Sequence, residues 1–448
     1  MPAVLNLKPE ELDTDEKRGK YTVSVIGCEE KGVLYAIAFA EAGFKVVCTD
    51  ADQTLVKRLA KGKTMFYDRE IEAKLKSFLR RGRLSATTEL KNAVSQSDIV
   101  VMTLTAKIDG KNPPEYLEVE TACKQVGTAL QKGALFIYGG TAGLGFTEGV
   151  IKEALENTSG LRVGEDFGLV YSPIQLFGGQ LSASIADQEL KVSAVDKTSL
   201  GSAANVLGTI TRKRMKRILG VKTAEAAFLF TIAKQDANLA LANELAVFCE
   251  NAGIDYFETL RLVDAQKSGF SPTVEAEADY INEAYLLLES GENLNAKLRL
   301  PALARKINED MVRHAVNLTR DALRDCGKTL RRARVAVLGA AKPTTLMFVK
   351  MLERKGAKTS LYDPLLPKTE LANMARVFKR NLKEAIEGAD CIVILNELGR
   401  FKRLNFKKLR AVMKMPAAVV DLTGMIEPQK VESKGFTYRG LGRGMEKK

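Results

Sequence analysis

The amino-acid sequence predicts an α/β protein with two Rossmann-like parallel-sheet domains, joined by a long central helix and a helical linker region. Three features of the 448 residues support this prediction. Strand and helix patterns alternate up to about residue 220, helical patterns alone follow to about residue 328, and the alternation then resumes. Such alternation is typical of parallel sheets covered by helices. We therefore expect a flexible tail over residues 1–19, a first domain over 20–220, a helical region over 221–328 and a second domain over 329–448.

The first domain begins with a pattern of strand, glycine turn and helix. Short apolar runs bounded by glycine or polar residues predict buried strands. The predicted strands of this domain are Tyr21–Ile26, Lys45–Thr49, Asp98–Thr105, Ala134–Tyr138, Phe167–Ser172 and Leu190–Ala194. A helix is predicted over about Gly32–Ala42, directly after the glycine turn.

The middle region carries helical patterns and no strand pattern. One long helix with few breakers is predicted over Ala224–Ala252. Further helices are predicted over Phe257–Ala265, Val274–Leu288 and Leu300–Cys326. In the second domain the predicted strands are Arg334–Gly339, Lys358–Tyr362, Asp390–Leu395 and Ala417–Asp421.

The composition narrows the class of protein. Hydrophobic residues make up 46% and charged residues 27%, which is typical of a globular chain. A membrane span needs about 18 or more consecutive apolar residues, and the sequence has no such stretch. The first residues do not combine a basic start with an apolar run, so a signal peptide is not predicted. We expect a cytoplasmic protein with no membrane segment.

Cysteine usage argues against a metal site. The six cysteines form no CxxC pair, and His314 is the single histidine. Zinc sites usually combine several closely spaced Cys and His ligands, so no metal-binding residue is predicted. We expect reduced and mostly buried thiols.

The formal net charge of +13 raises the question of an anionic partner. Basic residues cluster at 80–83, 212–214, 216–217 and 331–334. These clusters are scattered and have no accompanying aromatic residues on which bases could stack. We therefore interpret the basic clusters as solvated surface, or as residues that attract an anionic nucleotide, and not as a nucleic-acid-binding surface.

The turn after the first strand is typical of a dinucleotide site with one substitution. Gly27 and Gly32 bracket the turn, and Asp50 ends the next strand, where a carboxylate can bind a ribose hydroxyl. Glu29 occupies the place of the second glycine of G-x-G-x-x-G. That glycine lets the backbone approach the pyrophosphate, and a carboxylate there also brings negative charge to the helix N-terminus. Glu29 therefore predicts weak or absent dinucleotide binding.

Eight segments together resemble the UDP-glucose/GDP-mannose dehydrogenase family, which includes UDP-N-acetylmannosamine dehydrogenases. The resemblance extends from about Tyr21 to Gly444 and depends on the number, order and spacing of the segments. They are 25–50, Gly82–Thr88 (GRLSATT), Tyr171–Pro173 (YSP), Asn238–Ala246 (NLALANELA), Ala304–Asn308 (ARKIN), Val335–Gly339 (VAVLG), Tyr362–Pro364 (YDP) and Gly440–Gly444 (GLGRG).

The resemblance implies an enzyme that oxidises a primary alcohol of a UDP-sugar to the uronate with two NAD molecules. It implies that NAD binds the first domain, the nucleotide sugar binds the second, and the central helix forms a homodimer. A cysteine traps the intermediate aldehyde in this family, a lysine and an asparagine stabilise the oxyanion, and a glutamate assists in acid–base steps.

The corresponding positions of this sequence lack those catalytic groups. The loop Gly269–Tyr280, where the family cysteine is expected, contains no cysteine. Phe228 and Ile232 stand at the positions of the lysine and the asparagine, and Ile174 stands at that of the glutamate. Lys234 lies six residues beyond the expected lysine, about 240° around the helix, so we expect it to point elsewhere. We therefore assign no catalytic residue.

Some binding positions of the family are retained. The resemblance implies cofactor contacts from Gly27, Gly32, Asp50 and Thr141, and substrate contacts from Asn238 and Lys342. We expect a UDP-sugar 6-dehydrogenase homologue with impaired or absent turnover. The alternatives are a non-catalytic nucleotide-sugar-binding or regulatory partner subunit, a dehydrogenase that uses unorthodox residues, and an oxidoreductase that transfers a single hydride.

Overall fold

The computed structural model describes residues 4–64, 68–108, 114–174, 185–263, 271–274, 278–339, 343–364, 376–396 and 399–444. The chain divides into two compact units. One unit contains Met1–Thr231 and Tyr285–Ala296, and the other contains Ile232–Ala284 and Lys297–Lys448. The chain passes between the two units at residues 231–232 and 284–285, which lie inside helices, and at residues 296–297, which lie between two helices.

The first unit is built on an eight-stranded sheet. Its strands are β1 (Thr22–Ile26), β2 (Lys45–Thr49), β3 (Leu84–Thr87), β4 (Ile99–Met102), β5 (Leu135–Tyr138), β6 (Gly168–Tyr171), β7 (Lys191–Ala194) and β8 (Lys216–Leu219). Their order is β3-β2-β1-β4-β5-β6-β7-β8, which contains the Rossmann order in its first six strands. All pairs are parallel except β6 with β7, which is antiparallel. The predicted Rossmann-like sheet is therefore present, with one antiparallel pair between β6 and β7.

Helices cover this sheet. They are α1 (Asp15–Arg18), α2 (Glu30–Glu41), α3 (Gln53–Leu59), α4 (Arg69–Arg80), α5 (Leu90–Ser95), α6 (Leu117–Gly127), α7 (Lys152–Ser159) and α8 (Lys197–Gly208). A π-helical turn, Thr147–Ile151, precedes α7, and 3-10 turns occur at Pro9–Glu11 and Ile185–Asp187. The core on one side of the sheet contains Val25, Tyr35 and Phe39, all buried among α2, α4 and α8.

The N-terminal segment is not the loose tail that the polar sequence suggests. Val4, Leu7 and Leu12 are buried in the core of the first unit. The amide of Val4 donates to the carbonyl of Gly133, and the side chain of Asn205 donates to the carbonyl of Leu7. The few apolar residues of this segment therefore fix it to the domain, although they are too widely spaced to form a periodic pattern.

The second unit contains a five-stranded parallel sheet. Its strands are β9 (Arg334–Leu338), β10 (Lys358–Tyr362), β11 (Cys391–Ile394), β12 (Ala418–Asp421) and β13 (Thr437–Gly440), in the order β10-β9-β11-β12-β13. The remaining helices among the described residues are α9 (Val221–Ala252), α10 (Tyr256–Leu262), α11 (Ala278–Asn293), α12 (Arg299–Asp325), α13 (Pro343–Arg354), α14 (Leu382–Ile386), α15 (Phe406–Val412) and α16 (Pro428–Glu432), with a 3-10 turn at Phe401–Arg403. The two predicted α/β sheets and the long central helix are confirmed.

All six cysteines are free and buried, as the sequence predicts. Among the described residues, no group of His, Cys, Asp and Glu is arranged to hold a metal ion. None of the helices in the described ranges combines the length and the apolar character needed to cross a bilayer.

Candidate functional site

The turn between β1 and α2 depends on its two glycines. Gly27 has φ of +97°, in the region that favours glycine, and a Cβ added there would lie 2.7 Å from Oγ1 of Thr103. A Cβ added at Gly32 would lie 1.8 Å from the carbonyl oxygen of Gly27. The helix can therefore approach the turn this closely only because residue 32 has no side chain.

Asp50 fastens the turn to the end of β2. Its Oδ2 accepts a hydrogen bond of 2.7 Å from the amide of Cys28, and its Oδ1 accepts one of 2.9 Å from the amide of Asp52. The amide of Gly27 donates to the carbonyl of Thr49 at 2.9 Å. The structure therefore places Asp50 beside the turn that contains Gly27.

A cavity of about 410 Å³ opens at the carboxyl ends of β1, β2 and β4. Gly27 and Asp50 line it together with apolar side chains, among them Leu90, Leu104 and Leu117. Ligands of open α/β sheets bind at this edge, where the strand order reverses, and here that point lies between β1 and β4. The cavity is thus placed where a nucleoside would bind.

Carboxylates outnumber cations in this cavity. Its lining contains three carboxylates, Asp50, Glu115 and Glu118, and one cation, Lys107. The ammonium of Lys107 lies 2.6 Å from a carboxylate oxygen of Glu118, and this hydrogen bond raises the pKa of Lys107. The lysine charge is therefore already compensated, and the lining favours donors such as ribose hydroxyls over phosphate oxygens.

Two further carboxylates lie at the N-terminus of α2. Glu29 is the residue before the helix, has extended backbone, makes no side-chain capping bond and is exposed. Glu30 begins the first turn. A helix N-terminus attracts anions through its free amides and its dipole, and neighbouring carboxylates reduce that attraction for a diphosphate.

The remaining predicted cofactor residue lies next to this turn. Thr141 is buried on the segment that follows β5, and its Oγ1 accepts a hydrogen bond of 3.2 Å from the ammonium of Lys31. Lys31 belongs to the first turn of α2. The structure therefore connects Thr141 to the glycine turn through Lys31, a residue that the sequence analysis did not single out.

The positions expected for the catalytic lysine and asparagine are buried and apolar. Phe228 and Ile232 are each 1% exposed on α9, and Ile174, after β6, is also 1% exposed. Lys234 is exposed. Asn238 is half-buried on α9, whereas Lys342 lies outside the described residues. Of the loop Gly269–Tyr280, residues 271–274 and the backbone of 278–280 are described.

Glu225 is a buried carboxylate that sequence reasoning missed. It lies one turn before Phe228, is 1% exposed, and accepts the amides of Gly145 at 2.6 Å and Thr147 at 2.9 Å. Burial raises its pKa, while these hydrogen bonds act in the opposite direction. Glu225 thereby fixes the segment after β5 on α9. The signal in the sequence was a lone carboxylate among alanines at the start of a long helix.

Two motifs of the resemblance meet in a buried polar network of the second unit. The amide group of Asn243 donates to Oδ1 of Asn308 at 3.0 Å, and that of Asn308 donates to Oδ1 of Asp236 at 2.8 Å. Arg305 forms an ion pair of 2.5 Å with the same carboxylate. Oδ1 of Asn243 accepts the amide of Thr273 at 2.9 Å. The NLALANELA and ARKIN segments therefore join α9 to α12 and hold part of the loop in between.

Comparisons with known proteins agree with this arrangement. The NAD binding domain model of the UDP-glucose/GDP-mannose dehydrogenase family matches residues 21–204, and its UDP binding domain model matches residues 343–428. Together the two models match more than half of the chain. A UDP-N-acetyl-D-mannosamine dehydrogenase of Pyrococcus horikoshii is 27% identical over 439 residues, which cover 94% of this chain and 99% of that protein. A UDP-glucose 6-dehydrogenase of Rhizobium meliloti is 24% identical, with coverage of 94% and 99%.

Solved structures show the same fold. A UDP-D-ManNAc dehydrogenase structure from Pyrococcus horikoshii has a TM-score of 0.83 at 26% identity and covers 95% of this chain and 100% of that one. A UDP-glucose dehydrogenase structure from Pyrobaculum islandicum has a TM-score of 0.81 at 20% identity, with coverage of 94% and 98%, and shows the fold alone.

Proposed function

Because this chain belongs to the UDP-glucose/GDP-mannose dehydrogenase family, we propose that it binds a UDP-sugar without carrying out the two-step oxidation to the uronate. One observation carries the proposal. Phe228 and Ile232, each 1% exposed, occupy the positions at which the resemblance expects the oxyanion-stabilising lysine and asparagine. Two buried hydrocarbon side chains therefore stand in place of two hydrogen-bond donors.

Oxidation of a sugar alcohol and hydration of the aldehyde both develop charge on oxygen. Donors aimed at that oxygen supply much of the rate of such reactions. Phe228 and Ile232 have no polar side-chain atom, and their burial would penalise a charge placed beside them. The cysteine expected in the loop Gly269–Tyr280 is absent from the sequence, so a covalent thiohemiacetal has no nucleophile there.

The proposal includes weak binding of NAD. The glycine turn and Asp50 suit the ribose of a dinucleotide, whereas Glu29 and Glu30 place negative charge where a helix N-terminus would otherwise bind the diphosphate. The cavity lining adds further carboxylates and a lysine that is already paired. These residues fit the diphosphate poorly, so no chemical step is assigned to the cofactor.

The second domain supports the UDP-sugar part of the proposal, since its sequence matches the UDP binding domain model. Asn238 and Lys342 remain the expected substrate contacts. A protein that binds a nucleotide sugar without turnover would act as a regulatory or partner subunit. Leu241, Leu245 and Phe248, which are 46%, 41% and 62% exposed, form a stripe along α9 at spacings of four and three residues. This stripe supports a homodimer through the central helix.

The test combines an activity assay with calorimetry. NADH formation is measured with UDP-glucose and UDP-N-acetylmannosamine, with the Pyrococcus horikoshii relative as the active control. We expect no NADH from this chain, together with heat of binding for UDP or a UDP-sugar. NADH formed at two equivalents per sugar would overturn the proposed loss of turnover. Absence of binding for UDP and both UDP-sugars would overturn the nucleotide-sugar part.

A further inference from the structure

A second cavity, of about 450 Å³, lies beside the segment that connects α8 to β8. Its lining includes Gly208, Thr211, Met215 and three cationic side chains, Lys213, Arg214 and Arg217. This volume lies within the usual range for small-ligand clefts, about 300–1,000 Å³. β8 is an edge strand of the eight-stranded sheet. Four strand spacings, or roughly 19 Å, separate it from β4, which is the nearest strand of the first cavity. The cavity is therefore distinct from the site at β1.

The segment that carries these cations is held in place by its backbone. The amide of Arg212 donates to the carbonyl of Ala186 at 2.8 Å, and the hydroxyl of Thr211 donates to the carbonyl of Gln188 at 2.9 Å. The amide of Lys213 donates to the same hydroxyl at 3.1 Å. The cationic side chains therefore project from a fixed turn, which lowers the entropy lost when they bind a ligand.

The nearby carboxylates form ion pairs with cations that do not line the cavity. Residues 211–217 contain five basic side chains and no acidic one. Arg212 pairs with Asp187 at 3.9 Å, and Lys216 pairs with Glu189 at 2.8 Å. Within the described residues, no ion pair or hydrogen bond engages the side chains of Lys213, Arg214 and Arg217. The unpaired charges are thus the three that line the cavity.

We propose that this cavity binds a phosphate-bearing small anion, with a pyrophosphate group as the recognised chemistry. Guanidinium groups bind phosphate oxygens through paired N–H donors, and Arg214 and Arg217 supply two of them beside one ammonium. Charged edge strands also prevent sheet-to-sheet pairing, but that role requires no cavity and no fixed turn. Since the lining contains no aromatic side chain on which a base could stack, a compact phosphate ligand is favoured over a nucleic-acid strand.

Two double variants with equal loss of charge test the proposal. Arg214→Gln with Arg217→Gln removes two unpaired cations from the cavity, and Arg212→Gln with Lys216→Gln removes two paired cations from the same segment. All four residues are exposed, so both variants should unfold at the wild-type temperature. Sodium pyrophosphate is titrated into each protein by calorimetry at fixed ionic strength. We expect the first variant to bind about tenfold or more weakly and the second to stay within about twofold of wild type.

An equal loss of pyrophosphate affinity in both variants would mean that binding depends on net charge alone, and it would overturn the proposed site. Wild-type affinity in the first variant would overturn it as well. A parallel titration with ADP identifies the source of the phosphate. Equal affinity for pyrophosphate and ADP supports recognition of the phosphates only, and tighter ADP supports a nucleotide. Binding of a single-stranded oligonucleotide without any binding of pyrophosphate would contradict the proposal. These readouts do not depend on dehydrogenase activity or on UDP-sugar binding.

Discussion

The carboxylate of Asp50 accepts a 2.7 Å hydrogen bond from the backbone amide of Cys28 and thereby joins the end of β2 to the turn that opens α2. The amide of Asp52 donates to its other oxygen. A carboxylate has about four acceptor positions, so roughly two remain for the hydroxyls of a ribose. The same side chain can therefore shape the turn and still offer acceptors to a nucleoside, and Glu29 lies at the N-terminus of the helix that follows.

Replacement of Glu29 by glycine should strengthen NAD binding. The change removes both a side chain and a negative charge from the N-terminus of α2, and we expect the dissociation constant measured by calorimetry to fall about tenfold. Glu29→Gln separates the two effects, because it removes the charge and retains the bulk. If neither variant binds NAD more tightly than wild type, residue 29 is not what limits cofactor binding.

Replacement of Gly32 by alanine should destabilise the first domain. The new Cβ would lie 1.8 Å from the carbonyl oxygen of Gly27, so the helix or the turn must shift, and we expect a loss of about 2–3 kcal/mol in the free energy of unfolding. Gly201→Ala is the matched control. Gly201 lies in α8 with no atom within 4 Å of an added Cβ, and alanine there should raise stability by about 0.5–1 kcal/mol. Denaturant titration of both variants provides the comparison.

The sequence predicted the strands and helices that have strong local patterns. Short apolar runs bounded by glycine or polar residues located the central strands, since buried parallel strands are almost continuously apolar. The long helix α9 was located because its sequence contains few helix breakers. The sequence did not predict β3, β8 and β13, which contain exposed or half-buried residues and lie at or near the edges of their sheets. Edge strands are exposed on more sides, so their composition differs little from that of a loop.

The candidate site was predicted in part. Gly27, Gly32 and Asp50 stand at fixed offsets from a strand, so local spacing sufficed to place them together. Lys31 and Glu225 were missed because their partners, Thr141 and the amides after β5, lie 78 to 110 residues away in the chain. Strand β7 was predicted at Leu190–Ala194, but its antiparallel direction was not, since the direction of a strand depends on the path of its connection.

Replacement of Phe228 by lysine should be costly. Phe228 is 1% exposed, so the change would remove a large apolar side chain and bury a charge, and we expect a loss of at least about 3 kcal/mol in the free energy of unfolding. Phe230, two residues along the same helix, is 63% exposed, and Phe230→Lys should change stability by less than about 1 kcal/mol. Similar effects of the two changes, measured by denaturant titration, would show that position 228 is open to water.

The stability of the second unit should depend on Asp390 in acid. Burial alone would raise the pKa of Asp390, but the amide of Arg334 and the ammonium of Lys328, 2.7 Å away, together lower it. A carboxyl group with a depressed pKa stabilises the fold above its unfolded pKa of about 4 and loses that contribution as the pH falls through its folded value.

Asp390→Asn should therefore cost about 2 kcal/mol at neutral pH, because Lys328 would lose its anionic partner. The difference between wild type and variant should stay constant down to about pH 4 and shrink below it. Urea titrations across this range provide the measurement. A difference that grows in acid would have the wrong sign for a depressed pKa and would exclude this explanation.

The apolar stripe of α9 predicts the oligomeric state. Leu241, Leu245 and Phe248 share one face of the helix and are 46%, 41% and 62% exposed in the single chain. Large contiguous apolar patches on a surface usually mark a binding face, and the resemblance places the homodimer on this helix.

Leu245→Glu with Phe248→Glu would put two like charges into that face, so the double variant should be monomeric at 49.0 kDa, whereas wild type should have about twice that mass. Lys222→Glu changes the charge of an exposed residue near the start of the same helix, about 100° around its axis from Leu241, and should leave the mass unchanged. Light scattering after size exclusion measures all three proteins, and a monomeric wild type at micromolar concentration would mean that the stripe binds something other than a second copy.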